Sequence, residues 1–309
     1  MKGKNTLTRV VIVTAVIAVV SLGIAALVGF AGGVDLRQAG RAGRSVDERK
    51  SLPLDSVDTL TVSSVSEDVR IVEGTSGSAE VWLHGSMGAG GREDVPRLVT
   101  SRSGSAAEIR LDSDRRFGIG PFWNDLVLEV SVPKGYAGKL SVKTVSASID
   151  VADHVYDSLS LATTSGDMRV GAVKADALSA HATSGGLRIE AAAVRSATLT
   201  SVSGSVEAGA LRGDATVQTT SGDVRLTFAA APGRVEATST SGTITLRLPA
   251  DAGFSLDAKS TSGDISCKFP ITVSGSQAGD GRHSLRGVVQ AGTGAVAART
   301  VSGDIRIER

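Results

Sequence analysis

The sequence predicts an all-β protein, a parallel β-solenoid of roughly 19–20 residues per rung, preceded by one N-terminal transmembrane helix. Three observations predict it. A Ser-Gly motif followed by a short alternating strand recurs along the chain: "TTSGDMRV" at 163–170, "TTSGDVRL" at 219–226, "STSGDISC" at 260–267, "TVSGDIRI" at 300–307. Aromatic residues make up only 3% of the chain while Gly numbers 37, so any core must be built from Val, Ile, Leu, Ala and hydroxyl side chains, which suits many short strands. Finally, residues 10–31, "VVIVTAVIAVVSLGIAALVGFA", carry no charge.

Taken in order, the basic segment 1–9 comes first. Its Lys2, Lys4 and Arg9 precede the apolar run, and the positive-inside bias places them in the cytoplasm and the bulk of the chain outside. The run 10–31 is long enough, at about 1.5 Å per residue, to cross a hydrocarbon core of about 30 Å. A cleaved signal peptide ending near Gly29-Phe30-Ala31 is the alternative. Residues 32–54 are polar, contain Gly and several Arg, lack periodicity, and read as a flexible tether.

Residues 55–309 form the extracytoplasmic solenoid. In 55–139 the segments "DTLTVSS", "DVRIVEG", "AEVWLHG", "AEIRLDS" and "LVLEVSVPKG" alternate as strands but lack a strict register, and read as irregular terminal rungs of the same domain. A separate small β-domain is the other reading. From 140 to 309 the rungs are regular. The Ser-Gly glycines are Gly166, Gly185, Gly204, Gly222, Gly242, Gly263 and Gly303, at steps of 19, 19, 18, 20, 21 and 40. The last step equals two periods and predicts a degenerate rung near "GDGRHSLRG", 279–287. The residues two and four after each Gly are apolar, with a polar residue between, which is a strand with one face buried. The inward parity is odd before the Gly and even after it, so Ser-Gly must be a corner, where a positive φ or a close backbone approach suits Gly. A second turn, such as "GAVKAD" at 171–176, would close the rung.

Stacking brings like positions together. The serines before the corner, Ser165, Ser184, Ser203, Ser221, Ser241, Ser262 and Ser302, are expected to form a ladder, each hydroxyl donating to one rung and accepting from the other. This is a structural role; a nucleophile would need a His in fixed register.

The stretch "LVLEVSVPKGYAGKLSVKTVSASIDV" (126–151), followed by the "TSGDVRL"-type rungs, resembles the bacterial "putative adhesin" family of membrane-anchored β-repeat proteins. The resemblance covers about 55–309 and is carried by Val132 to Gly135 and the Ser-Gly-Asp rungs. It implies an extracytoplasmic parallel β-solenoid, and an association of some relatives with envelope-stress signalling. It brings no catalytic or binding residues.

No catalytic, cofactor or metal site is expected. The lone cysteine, Cys267, excludes an intramolecular disulfide and multi-cysteine zinc, and reads as a small core residue. The four histidines have no metal-ligand spacing, and no nucleotide-binding or hydrolase motif occurs. The acids after the corner, Asp167, Asp223, Asp264 and Asp304, are never on neighbouring rungs by sequence count, and read as local turn acceptors. A net charge of +1 gives no argument for nucleic acid. Two features point to binding. Arg70, Arg169, Arg188, Arg225 and Arg306 follow the same apolar position, an outward strip suited to an anionic envelope polymer, with Arg169, Arg188 and Arg225 as its core. "RRFGIGPFWND" (115–125) offers Trp123 to a sugar or a membrane, or covers a solenoid end. The expectation is a non-catalytic envelope adhesin or scaffold at the cell membrane, its partner an anionic polymer or another envelope protein. An accessory of an envelope-stress system and a β-helix polysaccharide-active enzyme are the alternatives.

Overall fold

The structure, a computed structural model, describes residues 43–88, 96–112, 124–273 and 283–309. The apolar run 10–31 and Trp123 lie outside these residues; among the described ones no helix is long and apolar enough to cross a membrane. Every described element is a strand. Residues 43–53, read above as part of a tether, are in fact β1 (Gly43–Pro53), because Val46 and Leu52 turn inward and the strand pairs along its length with β4.

The N-terminal part continues through β2 (Thr59–Ser63), β3 (Asp68–Gly74), β4 (Ser78–Gly88), β5 (Arg97–Ser103), β6 (Ala106–Asp112) and β7 (Asn124–Pro133). The regular part begins with β8 (Lys139–Lys143), β9 (Ile149–Val151), β10 (His154–Val155) and β11 (Ser158–Ser165), and continues in three long bent strands, β12 (Met168–Ser184), β13 (Leu187–Ser203) and β14 (Val206–Ser221). It ends with β15 (Val224–Phe228), β16 (Arg234–Ser241), β17 (Ile244–Arg247), β18 (Phe254–Ser262), β19 (Ile265–Cys267), β20 (Ile271–Val273), β21 (Ser284–Val289), β22 (Gly294–Ser302) and β23 (Ile305–Glu308).

Each rung has a leading strand before the corner and a trailing strand after it. The leading face runs β6, β2, β8, β11, then the second halves of β12, β13 and β14, then β16, β22 and β18, all parallel. The trailing face runs β7, β3, β9, the first parts of β12, β13 and β14, then β15, β17, β23 and β19. Antiparallel strands finish the stack: β4 and β1 beyond β7, β5 beyond β6, and β21 with β20 beyond β18. Segments such as 171–176, expected as turns, are strand instead. Ala172–Ala175 pair with Ala191–Val194 and form a short third side whose inward row is His154, Val173, Ala192, Leu211 and Phe228.

The order of rungs departs from the order of the chain at both ends. β22–β23, the last rung in sequence, lies between β16–β17 and β18–β19. Thus among the described residues the 40-residue step holds no degenerate rung: residues 284–289 are the antiparallel β21, and the chain doubles back to insert its end. Likewise β2–β3 is inserted between the rung made by β6 and β7 and the rung β8–β9. Residues 55–139 are therefore woven into the same stack and are not a separate domain.

The core is the inward set of all rungs, and its alternation is strict. Met168, Leu187, Val206, Val224, Ile244 and Ile305 are buried in one row; Val170, Ile189, Ala208, Leu226, Leu246 and Ile307 in the next. Ile265 and Cys267 are only half-buried because β19 ends the trailing face. A rung alone leaves these side chains in water, and stacking removes them at about 1.5–3 kcal/mol per large side chain.

The corner glycines have φ between 138° and 158°. A Cβ on Gly242 would meet the Gly222 carbonyl oxygen at 2.1 Å, and the other corner glycines of the ladder are equally close to a neighbouring carbonyl. The parity switch is thus paired with close backbone approach, and both exclude a side chain. Two rungs solve the corner without glycine. Ala147 holds one, and Glu67 the other, its carboxylate turned in to accept from Ser64 Oγ and Ser66 N at 2.9 and 3.1 Å.

Candidate functional site: a charged row across the trailing face

The register assembles one outward row that crosses twelve strands. In spatial order it reads Arg49, Trp82, Glu129, Arg70, Asp150, Arg169, Arg188, Glu207, Arg225, Thr245, Arg306, Ser266. At about 4.8 Å per strand it is roughly 50 Å long. From Glu129 to Ser266 each of these residues stands between two inward apolar neighbours, so the pleat turns it to solvent; Arg49, between Glu48 and Lys50, joins through its pairing with Trp82.

The three arginines expected in a basic strip, Arg169, Arg188 and Arg225, all lie in this row, with Arg169 opposite Arg188. The row is not basic. Arg169 reaches Asp150 at 3.6 Å and Asp167 at 3.5 Å. Arg188 pairs with Glu207, which also receives Arg225 at 3.4 Å. Arg225 further meets Asp223 at 2.9 Å, and Arg306 meets Asp304 at 2.7 Å. The sequence places Glu207 between Arg188 and Arg225, one cross-rung pair; it does not show the further pairs to Asp150 and to the corner acids Asp167, Asp223 and Asp304. Exposed pairs of this kind are worth about 0–1 kcal/mol each. They fix side-chain positions more than they stabilise the fold.

Arg70 is the exception: among the described residues it has no ion-pair partner, although Glu129 and Asp150 are its register neighbours. It lines a shallow groove of about 510 Å³ together with Asp150, Arg169, Arg188 and Glu190. One end of the row is an aromatic platform. The Arg49 guanidinium sits 4.2 Å above the Trp82 ring, His84 stacks on it with centroids 3.9 Å apart, and Trp82 Nε1 donates to Asp47 Oδ1 at 2.7 Å. Neither Trp82 nor Arg49 was legible as a site residue. The outward parity of Trp82 in "AEVWLHG" was the available signal, but its neighbours depend on long-range pairing.

The predicted hydroxyl ladder takes another form. Ser165, Ser184, Ser203, Ser221, Ser241, Ser302 and Ser262 are register partners in that order, but their side chains are exposed and their hydroxyls make no hydrogen bond among the described residues. The rungs are joined at this point by backbone bonds, such as Gly222 N to Ser241 O at 3.0 Å. The buried hydroxyls are two residues earlier: Ser260 Oγ donates to Gly303 O at 3.0 Å and Thr300 Oγ1 to Gly242 O at 3.3 Å. The parity that points those residues inward turns the serines out.

The corner acids also differ from expectation. Three of the four accept from the next rung and not from their own turn: Asp167 Oδ1 from Gly186 N at 2.8 Å, Asp223 Oδ1 from Thr243 N at 3.0 Å, Asp304 Oδ1 from Asp264 N at 3.0 Å. The last pair places two aspartates on neighbouring rungs, which the sequence count had excluded. The inserted rung causes this, and Arg306 on Asp304 offsets the repulsion. Among the described residues no group of three or more His, Cys, Asp or Glu could hold a metal ion. His181 is half-buried on the leading face, and burial lowers its pKa.

Residues 57–308 match the family described as Toastrack DUF4097. The chain belongs to the Toastrack DUF4097 family. Of solved structures, a "putative adhesin" from Bacteroides fragilis NCTC 9343 is similar in fold at a TM-score of 0.50 and 10% identity, over 86% of this chain and 98% of that one. A "putative adhesin" from Parabacteroides merdae ATCC 43184 gives 0.43 and 10%, over 85% and 96%. A protein described as "Putative lipid binding protein" from Parabacteroides distasonis ATCC 8503 gives 0.41 and 13%, over 86% and 98%. No curated protein matches this Toastrack chain.

Proposed function

We propose that this Toastrack protein is a non-catalytic binding or scaffold module of the bacterial envelope, anchored through 10–31 with its solenoid outside the membrane, and that it docks an anionic envelope polymer on the trailing face. The observation that carries this reading is Arg70. Its guanidinium opens into the groove without a carboxylate partner, so a phosphate or carboxylate can be taken there without breaking an existing pair. Arg169 and Arg188 flank it as weaker, already neutralised contacts. Trp82, its ring already stacked by Arg49 and His84, lies two strands away along the same row. The non-catalytic reading is supported by the engagement of two of the row's three acids, Asp150 and Glu207, with arginines.

Retention of the protein on a teichoic-acid-type polymer tests this. Arg70→Glu should abolish retention while the circular dichroism spectrum stays unchanged, and wild-type retention should fall as salt rises. Undiminished binding by the variant would overturn the assignment of Arg70.

A further inference from the structure

The groove beside Arg70 is not uniformly basic. Four carboxylates line it: Glu73, Asp150, Asp153 and Glu190. Two are engaged, Glu73 by Lys134 at 2.9 Å and Asp150 by Arg169 at 3.6 Å. Asp153 and Glu190 have no cationic partner among the described residues. Asp153 Oδ1 accepts from Ala172 N at 2.7 Å, which fixes that carboxylate against β12; its other oxygen makes no hydrogen bond among the described residues.

Both acids stand where the chain bends from the trailing face to the third side. There the 19-residue step sets Glu190 between Gly171 and Gly209 on the neighbouring rungs. A Cβ on Gly171 would meet Asp153 Oδ1 at 2.3 Å. No side chain therefore rises between the two acids. Gly171 is the floor of a notch, with Asp153 on one side and Glu190 on the other, on rungs about 9.6 Å apart. Unpartnered charges of opposite sign thus share one groove. Arg70 lies opposite Asp150, so strand and residue spacings put its Cα about 11 Å from Asp153 and about 16 Å from Glu190. A wholly anionic chain laid on Arg70 would carry its next charge towards these acids, and like charges brought together oppose docking.

We propose that the groove takes a zwitterionic repeat: an anionic polymer whose phosphate rests on Arg70 and whose primary ammonium, on a short arm of the same repeat, sits in the Gly171 notch. The inference rests on the docking of an anionic polymer at Arg70, and it names the class of polymer, one whose repeats carry amino groups as aminoacyl esters do. The guanidinium supplies affinity for the phosphate, and the two acids discriminate. The three N–H donors of a primary ammonium match in number Asp153 Oδ2 and the two Glu190 carboxylate oxygens.

Fluorescence anisotropy of the full chain in detergent tests this with a labelled glycerol-phosphate oligomer in two forms, alanyl-esterified and stripped of its esters by mild alkali. The wild-type chain should bind the esterified form about fivefold more tightly. Asp153→Asn combined with Glu190→Gln should bind both forms equally, with the circular dichroism spectrum retained, since Asn keeps the acceptor for Ala172 N. Arg70→Glu should lose both forms. Equal or tighter binding of the stripped form by the wild type would overturn the zwitterionic ligand and leave Arg70 as an anion site, as would a preference that survives in the double variant. Binding of both forms by Arg70→Glu would overturn the underlying docking at Arg70 instead. Capture by phosphatidylethanolamine vesicles in preference to the esterified oligomer would overturn the polymer as the source of the phosphate and ammonium.

Discussion

Replacing Gly242 by alanine perturbs the corner where two rungs come closest. The added Cβ would stand 2.1 Å from the Gly222 carbonyl oxygen, on a backbone at φ 153°. An ordinary contact needs about 3.4 Å, so the rungs must separate locally by more than an ångström. The flanking bonds Gly222 N to Ser241 O at 3.0 Å and Gly242 N to Ser302 O at 2.9 Å would then be lost. Two such bonds contribute about 1 kcal/mol each, and holding a non-glycine residue in this φ region costs about 1–3 kcal/mol, for a total of about 3–5 kcal/mol. Ser241→Ala is the matched control, since its exposed hydroxyl has no partner; its effect should lie within about 0.5 kcal/mol. Urea unfolding followed by circular dichroism measures both. A Gly242→Ala cost under about 1 kcal/mol would refute the close-approach argument, and a Ser241→Ala cost as large as the glycine's would restore the hydroxyl ladder as a source of stability.

Deleting 294–309 removes β22 and β23 from between their neighbours, so amide exchange protection should collapse in β16, β17 and β19 while β8 to β13 stay protected. Tyr136 is held by burial at a pKa of about 12, above its usual 10. Burial raises Tyr156 as well. The neutral phenols therefore favour the folded state, and that stability is fully present below pH 10 and is lost as pH rises towards 12; tyrosine absorbance should rise together with unfolding, and Tyr156→Phe should move the transition to higher pH. In cells with a permeable outer layer, added protease should remove the solenoid and leave residues 1–9 protected, whereas a protected C-terminus would reverse the proposed orientation.

The rung was legible because it is local. Period, parity and corner are all written within about twenty residues, and Gly242 shows why the motif repeats: each corner glycine lies against the carbonyl of a neighbouring corner. What could not be read was which rung lies beside which. Nothing in "TVSGDIRI" says that it stacks on 239–246 and on 260–267 at once, because that choice is made by the antiparallel β20 and β21 turning the chain back. The candidate site shared this limit. Arg169 and Arg188 were assigned one outward row from sequence, but Arg49, Trp82 and Glu129 join it only through pairing across tens of residues. Neutralisation of the row was hidden for a similar reason. Glu207 is visible in the sequence between Arg188 and Arg225, but Asp150, at the arginine position of its own rung, and the corner acids Asp167, Asp223 and Asp304 reach the row only through side-chain geometry.

The interleaved ends also give the molecule two unequal handles for mechanical force. At its N-terminal end the described chain begins in β1, whose backbone ladder among the described residues is with β4 alone, supplemented by the Glu48 and Lys50 side chains on Leu98 of β5. Tension through residue 43 would load the antiparallel bonds one after another, so that strand peels at low force. At the other end, Arg309 follows β23, which is held between β17 and β19 while β22 is held between β16 and β18. A pull there must shear two parallel ladders on each side together before the rung slides out. A load arriving by way of the N-terminal segment would meet a compliant strand that lengthens first, and the stack behind it would keep its register.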